Sequence, residues 1–415
     1  MCTTLRAMAA SASSPLRRAA LAIAAVVALA VGVSSFKRLF ADGLPAPMDF
    51  AAFWTAGKIG LAGGNVYDGA AVREVQSGIG LNTTAIMMWN PPWALTLVLP
   101  LGWFPFRTAY AIWVLVNIGL LIASALLLWR GLGGPPRYRG LALLLTLAFA
   151  PTLLLIFSGQ LTAFVLLGLA GLVVLRPRHP FLAGMAGAIT AIKPHMLVLF
   201  ALWLLFDALR NRDGRKVLIG GGCSLLLLSA IPTALDPGIW SQYATVTTGA
   251  SSADHEHVSS WSPPLIGWWL RMAVPGQPFW VQWLPLVLGV IVFGARCAVK
   301  GSNHPFLAQR ASISEVPVLV GFSMLIAPYG VWTHDLILML LPMLVVAVKL
   351  VQRPTRAAIA FGILCFVLAD ALLFAMIVAT SPYEWFVWVV PAVLLGCAAT
   401  LRIAEREPAP QPARA

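Results

Sequence analysis

The residues able to do chemistry stand in short polar interruptions of a strongly apolar chain. Asp49 lies in PMDFAAFWTAGK (47–58), directly after the first long apolar segment and ahead of Trp54. A carboxylate in such a place could serve as a general base that takes a proton from an attacking hydroxyl. Lys193 and His195 interrupt a later apolar run, in the tripeptide KPH, where positive charge could stabilise an anionic group. Ionisable groups at membrane depth are costly and indicate a functional site.

Further polar residues occur in comparable places. They are Tyr67, Asn90, Gln160 and His334, with the loop SSADHEHVSSWSPP at 251–264. Each polar group also has a purely structural interpretation. Asp49 could cap the helix that follows it, Gln160 could close a turn, and Lys193 could extend to the membrane surface. All of them fall on one side of the membrane in the topology given below, which favours a shared site.

The acidic residues do not form a pattern typical of a metal site. MDF supplies one carboxylate, Asp49, and no Asp-x-Asp or Glu-x-Asp cluster occurs in an outer loop. Asp68 belongs to NVYDG, which is typical of a turn, and HEH at 255–257 lacks a third ligand at a defined spacing. The five cysteines lie far apart and match neither a zinc site nor a disulfide framework. We therefore expect a protein without a metal or another cofactor.

Composition indicates the class of protein that holds these residues. Of 415 residues, 60% are hydrophobic and 10% are charged, whereas a soluble domain carries about 25% charged residues. Long apolar runs recur along the chain and predict an all-α polytopic membrane protein. The formal net charge of +13 comes from arginines and lysines placed mostly between the apolar runs. No basic stripe with interleaved aromatic residues appears, so we expect no nucleic-acid partner.

The distribution of basic residues orients the chain, because cytoplasmic loops of membrane proteins are enriched in lysine and arginine. Arg17 and Arg18 place the N-terminal segment 1–18 in the cytoplasm. This orientation predicts a single transmembrane domain at 19–402, outer loops at 40–90 and 235–264, and a cytoplasmic tail at 403–415.

We expect a bundle of about twelve transmembrane helices with short helices in the outer loops. After a first helix that begins at 19, the spans are 106–129, 141–158, 161–175, two arms within 181–208, 217–234, 279–299, 312–330, 333–350, 357–378 and 385–402. The two arms meet outside at KPH and are too short to cross ~30 Å unaided, so each should be a half-helix among longer ones. In an alternative with the same total, 91–106 crosses and 181–208 is one helix. Charge favours the first version, because the alternative places five arginines outside.

Five segments within 47–342 occur in an order and spacing typical of one protein family. They are MDFAAFWTAGKIGLAGGNVYD, WNPPWALTLVLPLGWFPFRTAYAIWVLVN, FSGQLTAFVLLGLAGLVVL, LAGMAGAITAIKPHMLVLFALWLL and APYGVWTHDLILMLLP. Together they resemble glycosyltransferase family 87. The resemblance implies a GT-C-type bundle and an enzyme that takes a sugar, with mannose the first candidate among hexoses, from a polyprenyl-phosphate donor. It implies transfer to a glycan or glycolipid acceptor at the outer face of the bacterial cytoplasmic (inner) membrane. Membrane lipids would surround the protein there.

The resemblance also implies roles for individual residues. The essential aspartate of the family's first outer loop corresponds to Asp49, which would be the general base. Lys193, His195 and His334 would bind the donor phosphate. The remaining candidates, for substrate binding, are Trp54, Tyr67, Asn90 and Gln160.

Two other classes of protein remain open. Broken helices and packing through small residues also occur in transporters and lipid flippases without transferase activity. The polar residues gather at one face rather than at the midplane, and no inverted repeat relates the two halves, which favours the transferase. An accessory subunit without activity is the third interpretation, and it requires Asp49 to be dispensable.

Overall fold

The computed structural model describes residues 48–82, 84–248, 262–300 and 316–406. The described residues form helices joined by turns and contain no strand, so the all-α prediction is confirmed. The predicted first span, the HEH motif and the last nine residues of the tail, 407–415, lie outside the described residues.

Seventeen α-helices follow one another in the described part of the chain. In order they are α1 (Met48–Leu61), α2 (Gly69–Ser77), α3 (Pro92–Val98), α4 (Phe106–Gly131), α5 (Arg139–Ala148), α6 (Ala150–Ser158), α7 (Thr162–Leu175), α8 (Pro180–Gly187), α9 (Val198–Arg210), α10 (Arg212–Leu235), α11 (Ile239–Thr247), α12 (Ile266–Met272), α13 (Leu284–Lys300), α14 (Val316–Ile326), α15 (Leu340–Gln352), α16 (Arg356–Val378) and α17 (Val389–Arg406). Short 3₁₀ helices extend or connect them at Leu99–Trp103, Pro136–Tyr138, Ala188–Ile192, Pro194–Leu197, Phe279–Trp283, Thr333–Met339 and Tyr383–Trp388.

Six described helical segments are long and apolar enough to cross a membrane, and a seventh results if α5 and α6, bent by 61°, form one span. The six are Phe106–Gly131, Arg212–Leu235, Phe279–Cys297, Thr333–Gln352, Arg356–Val378 and Tyr383–Arg406. The chain is therefore a multi-pass membrane protein, but the predicted count of twelve is not confirmed. Helices α7 and α14 have 14 and 11 residues. At 1.5 Å per residue they rise about 21 and 17 Å, which is less than the ~30 Å hydrocarbon core.

The helical run from α8 to α9 is broken at Lys193, as the sequence predicted. Helix α8 continues as the 3₁₀ helix Ala188–Ile192 and stops at Lys193, whose φ of −133° and ψ of 67° are not helical. Pro194 causes the break, because proline disfavours the α conformation in the residue before it and lacks an N–H for the helical ladder. The chain resumes in Pro194–Leu197 and then in α9.

Contacts at both ends hold the segment 91–106 against the rest of the bundle. At its start, Nδ2 of Asn90 donates to the carbonyl of Ile192 at 2.8 Å. At its end, the ring of Phe106 lies 5.4 Å from that of Phe50 in α1. That the segment does not cross the membrane stays a prediction.

Contacts between helix termini define the other end of the bundle. Arg176, after α7, pairs with Asp207 of α9 at 2.6 Å. Gln352, at the end of α15, donates to the carbonyl of Gly133 at 2.9 Å. We call this the basic end, because loops that the sequence predicted to be cytoplasmic meet there. The break at Lys193 lies at the opposite end, which we call the polar end.

Candidate active site

Helix α1 is anchored by aromatic residues that place Asp49 in its first turn. Phe50 and Trp54 are four residues apart and therefore share one helix face. Both rings pack on Phe106, with centroids 5.4 and 5.3 Å away, and the indole N–H of Trp54 donates to the carbonyl of Phe104 at 3.0 Å. Trp54 thus lies buried in the protein core, where it fixes α1 rather than lining the surface around Asp49.

Asp49 faces His334, which lies in the first turn of the 3₁₀ helix Thr333–Met339. Oδ2 of Asp49 lies 4.0 Å from Nδ1 of His334, so the contact is electrostatic rather than a hydrogen bond. The Asp49 side chain is 38% exposed, whereas that of His334 is 8% exposed. Nε2 of His334 lies 3.6 Å from Oδ2 of the next residue, Asp335. The imidazole therefore lies between two carboxylates, one accessible and one buried.

Asp335 is fully buried and joins three separate parts of the chain. Its Oδ1 accepts hydrogen bonds from Nζ of Lys193, at 2.6 Å, and from the hydroxyl of Thr162. Its Oδ2 accepts from the backbone N–H of Trp332 at 2.9 Å. A buried carboxylate requires such donors, because an unpaired charge out of water is very costly. The cluster Asp49, His334, Asp335, Lys193 and Thr162 is the candidate site.

The turn between α6 and α7 holds Thr162 in this cluster. Gly159 ends α6 with a left-handed φ of 72°, and a Cβ added there would lie 2.6 Å from Cβ of Phe50. The indole N–H of Trp113 donates to the Gly159 carbonyl at 2.6 Å. Gln160 is buried in this turn, with its Oε1 3.4 Å from the N–H of Leu161. The SGQ motif therefore lies directly beside the start of α1.

Asn90 and Tyr67 support the break at Lys193 through the main chain. Nδ2 of Asn90 donates to the carbonyl of Ile192, directly before Lys193, at 2.8 Å. The hydroxyl of Tyr67 donates to the carbonyl of Asn90 at 2.8 Å. Burial, together with the nearby Tyr243 hydroxyl, raises the pKa of Tyr67 well above its usual value. The Tyr67 hydroxyl therefore remains a neutral donor.

His195 is turned toward the segment that precedes His334. Its Nε2 lies 3.0 Å from the carbonyl of Gly330, and its ring stacks on Tyr329 with centroids 4.9 Å apart. Gly330 has a φ of 71°, and a Cβ there would lie 2.6 Å from Nε2 of His195. His195 thus holds residues 329–330 next to the break at Lys193. Its Nε2 is occupied by the contact with the Gly330 carbonyl.

The structure brings together three of the predicted residues, Asp49, Lys193 and His334, and adds Asp335 and Thr162. The sequence signal for Asp335 was the carboxylate of THD inside an otherwise apolar run, which is rare without a buried partner. Thr162 gave no such signal, because a single threonine among apolar residues is common. Within the described ranges, no three His, Cys, Asp or Glu residues are arranged to hold a metal ion.

A bundle of apolar helices with a buried ionic cluster at one end defines a multi-pass membrane protein with a polar candidate site. Residues 89–328 match glycosyltransferase family 87, and this range covers more than half of the 415 residues. The chain belongs to that family, and it is a membrane glycosyltransferase. None of the curated proteins or solved structures compared with the chain matches it.

The matched range contains part of the site. Asn90, Gln160, Lys193 and His195 lie within it. Asp49 precedes it, and His334 and Asp335 follow it. The folded structure therefore joins the matched part of the chain to residues on both sides of it.

Proposed function

We propose that this protein moves a hexose, with mannose the first candidate, from a polyprenyl-phosphate donor to a glycan or glycolipid acceptor. The acceptor hydroxyl oxygen bonds to the anomeric carbon of the sugar, and the bond from that carbon to the phosphate oxygen breaks. The lipid phosphate leaves with the bonding electrons, and the hydroxyl proton passes to Asp49.

The accessibility of Asp49 carries this proposal. Its side chain is 38% exposed, while His334 is 8% exposed and Asp335 is completely buried. A general base must reach the proton that it removes, and Asp49 is the carboxylate of the cluster that a hydroxyl can approach. Lys193 and His334 stabilise the negative charge that develops on the leaving phosphate oxygen.

Helix capping is a weaker account of Asp49. A capping aspartate accepts a hydrogen bond from an N–H of the first turn of its helix. Within the described residues, the Asp49 carboxylate faces His334 rather than the backbone N–H groups of α1. This arrangement suits a base that faces a substrate.

The positive charge of Lys193 and an N–H of the His334 imidazole suit a phosphate. The Lys193 ammonium and the His334 imidazole meet on one carboxylate, Lys193 at Oδ1 and His334 at Oδ2 of Asp335. We assign the donor phosphate to Lys193 and His334, and we assign His195 to holding 329–330 in place. Gln160 remains a candidate for contact with the sugar, because it lies in the turn beside α1.

The position of the site supports transfer at the outer face of the membrane. The basic end collects loops with arginine and lysine, which are enriched on the cytoplasmic side. The polar end, with Asp49 and Lys193, then faces outside in the bacterial cytoplasmic membrane. A lipid-linked donor suits this side, because its polyprenyl chain can remain in the bilayer while its phosphate enters the site.

A transporter or flippase is the competing function, and the location of the cluster weighs against it. Transporter sites lie near the bilayer midplane, whereas the cluster around Asp49, His334 and Lys193 lies at the polar end of the bundle. Purified protein incubated with a panel of labelled polyprenyl-phosphate sugars tests the proposal. We expect label to leave one of the lipids and to appear in an acceptor. Retention of label in every lipid, with a full set of acceptors, would contradict it.

A further inference from the structure

Lys193 and Asp335 form an ion pair that is shielded from water. Their side chains are 7% and 0% exposed, and Nζ lies 2.6 Å from Oδ1. A pair buried this deeply is weak evidence for a stabilising role, since apolar residues of similar volume often serve as well or better. Removing only one member of the pair destabilises the fold, because it leaves an uncompensated buried charge. The pair therefore calls for an explanation beyond folding.

The geometry of the pair leaves the lysine able to bind a ligand. An ammonium has three N–H donors, and among the described residues Nζ of Lys193 donates one hydrogen bond, to Asp335. The other oxygen of Asp335 is held by the N–H of Trp332, and Thr162 donates to the same oxygen as Lys193. Asp335 is thus fixed from three sides. Without this anchor, the long lysine side chain would extend toward water.

We propose that Asp335 is a positioning residue, which fixes the Lys193 ammonium so that its remaining N–H groups are donated to the phosphate of a polyprenyl phosphate. This inference rests on the proposed function for the identity of the ligand. The carboxylate also keeps the resting site close to neutral, so that the cation can remain charged in a dry environment before the phosphate arrives.

The Arg176–Asp207 pair provides a matched control. It has the same 2.6 Å distance and a carboxylate that is 5% exposed. It lies at the basic end, away from Asp49. A purely structural effect of losing a buried carboxylate should appear for both pairs, whereas an effect on phosphate binding should appear for Asp335 alone.

The experiment measures binding of a short-chain polyprenyl phosphate to the full-length protein in nanodiscs, with the uncharged polyprenol as the reference ligand. We expect Asp335→Asn to weaken binding of the phosphate by at least ~10-fold, about the worth of one hydrogen bond to a charged group, and to leave polyprenol binding unchanged. Asp207→Asn should lower the thermal midpoint of unfolding but leave the affinity for polyprenyl phosphate at the wild-type value.

A double variant keeps the inference testable if single variants fold poorly. Lys193→Met with Asp335→Leu removes both charges, so its thermal midpoint should recover relative to either apolar single variant. Its affinity for polyprenyl phosphate should stay as weak as that of Lys193→Met. Recovery of both stability and affinity would show that the pair only supports the fold, and it would overturn the inference.

Two further outcomes contradict the role of Asp335. They are wild-type affinity for polyprenyl phosphate in Asp335→Asn, and equal binding of polyprenyl phosphate and polyprenol by the wild-type protein. Sugar transfer is scored separately with labelled donor. Binding of the phosphate through the pair, without transfer from any labelled donor, contradicts the proposed function and leaves the role of Asp335 standing.

Discussion

The imidazole of His334 faces the carboxylate of Asp49, with Nδ1 4.0 Å from Oδ2. This distance exceeds that of a hydrogen bond, so the two groups are close without being locked together. The lone pairs of the Asp49 carboxylate therefore remain available for a substrate proton. His334 is still close enough to interact electrostatically with the Asp49 charge. The two residues are far apart in the sequence, and the fold brings the first turn of α1 to the 3₁₀ helix Thr333–Met339 at this contact.

Replacing Asp49 with asparagine separates a base from a helix cap. Asp49→Asn keeps the size of the side chain but removes the proton acceptor, so turnover should fall by at least ~10²-fold. Binding of the donor lipid and the thermal midpoint should change little. The measurements are turnover with labelled donor and donor affinity in the same nanodiscs. Near-normal turnover would mean that Asp49 is only a cap, since asparagine and aspartate cap helices about equally well.

The close contact between Gly159 and Phe50 predicts that the turn after α6 controls the start of α1. In Gly159→Ala, the new Cβ would lie 2.6 Å from Cβ of Phe50, at a φ of 72°. We expect a lower thermal midpoint and lower turnover, because α1 must shift and carry Asp49 with it.

Gly63→Ala is the matched control for this variant. Gly63 has a φ of 71° but no atom within 4 Å of an added Cβ. Its replacement should cost about 1–2 kcal/mol through backbone strain alone and leave turnover unchanged. Equal turnover for Gly159→Ala and Gly63→Ala would mean that the contact with Phe50 does not position Asp49.

The basic end predicts the orientation of the protein in the membrane. A reporter fused after Gly63 should be detected outside the cell membrane, and reporters fused after Arg137 or Arg212 should be detected in the cytoplasm. An external signal after Arg137 would invert the assignment and place the polar end inside.

Metal independence was predicted from the absence of a paired acidic motif in the sequence. Transfer activity should therefore survive EDTA with little change in rate. Loss of activity that Mn²⁺ or Mg²⁺ restores would reveal a ligand set that the sequence motifs did not disclose. Asp68→Asn and Glu256→Gln would then be the first variants to examine.

The break at KPH could be predicted from sequence because its cause is local. Pro194 restricts the backbone of Lys193 and removes one N–H from the helical ladder, whatever the rest of the chain does. The all-helical class was likewise predictable, since long apolar runs recur along the chain and such runs cross a membrane as helices. The predicted count of twelve spans is not confirmed. The run 161–175, for example, forms a 14-residue helix, which is shorter than the ~20 residues that cross a membrane unaided.

The internal geometry of the site depends on packing between distant segments, which local sequence patterns do not predict. Trp54 was a candidate for substrate binding, and its orientation on α1 is set by contacts with Phe106 and the Phe104 carbonyl that the sequence does not disclose. The pairing of Asp335 with Lys193 spans 142 residues. Only the tertiary fold selects one partner for that carboxylate among the cations of the chain.

The same separation has a consequence for biosynthesis. Ribosomes add about 5–20 residues per second, and N-terminal parts of a chain emerge first. A gap of 142 residues therefore corresponds to roughly 7–28 s between the synthesis of Lys193 and that of Asp335. Throughout this interval the nascent chain carries a lysine whose counter-ion has not yet been translated, so the site is completed only when the later half of the protein has been inserted.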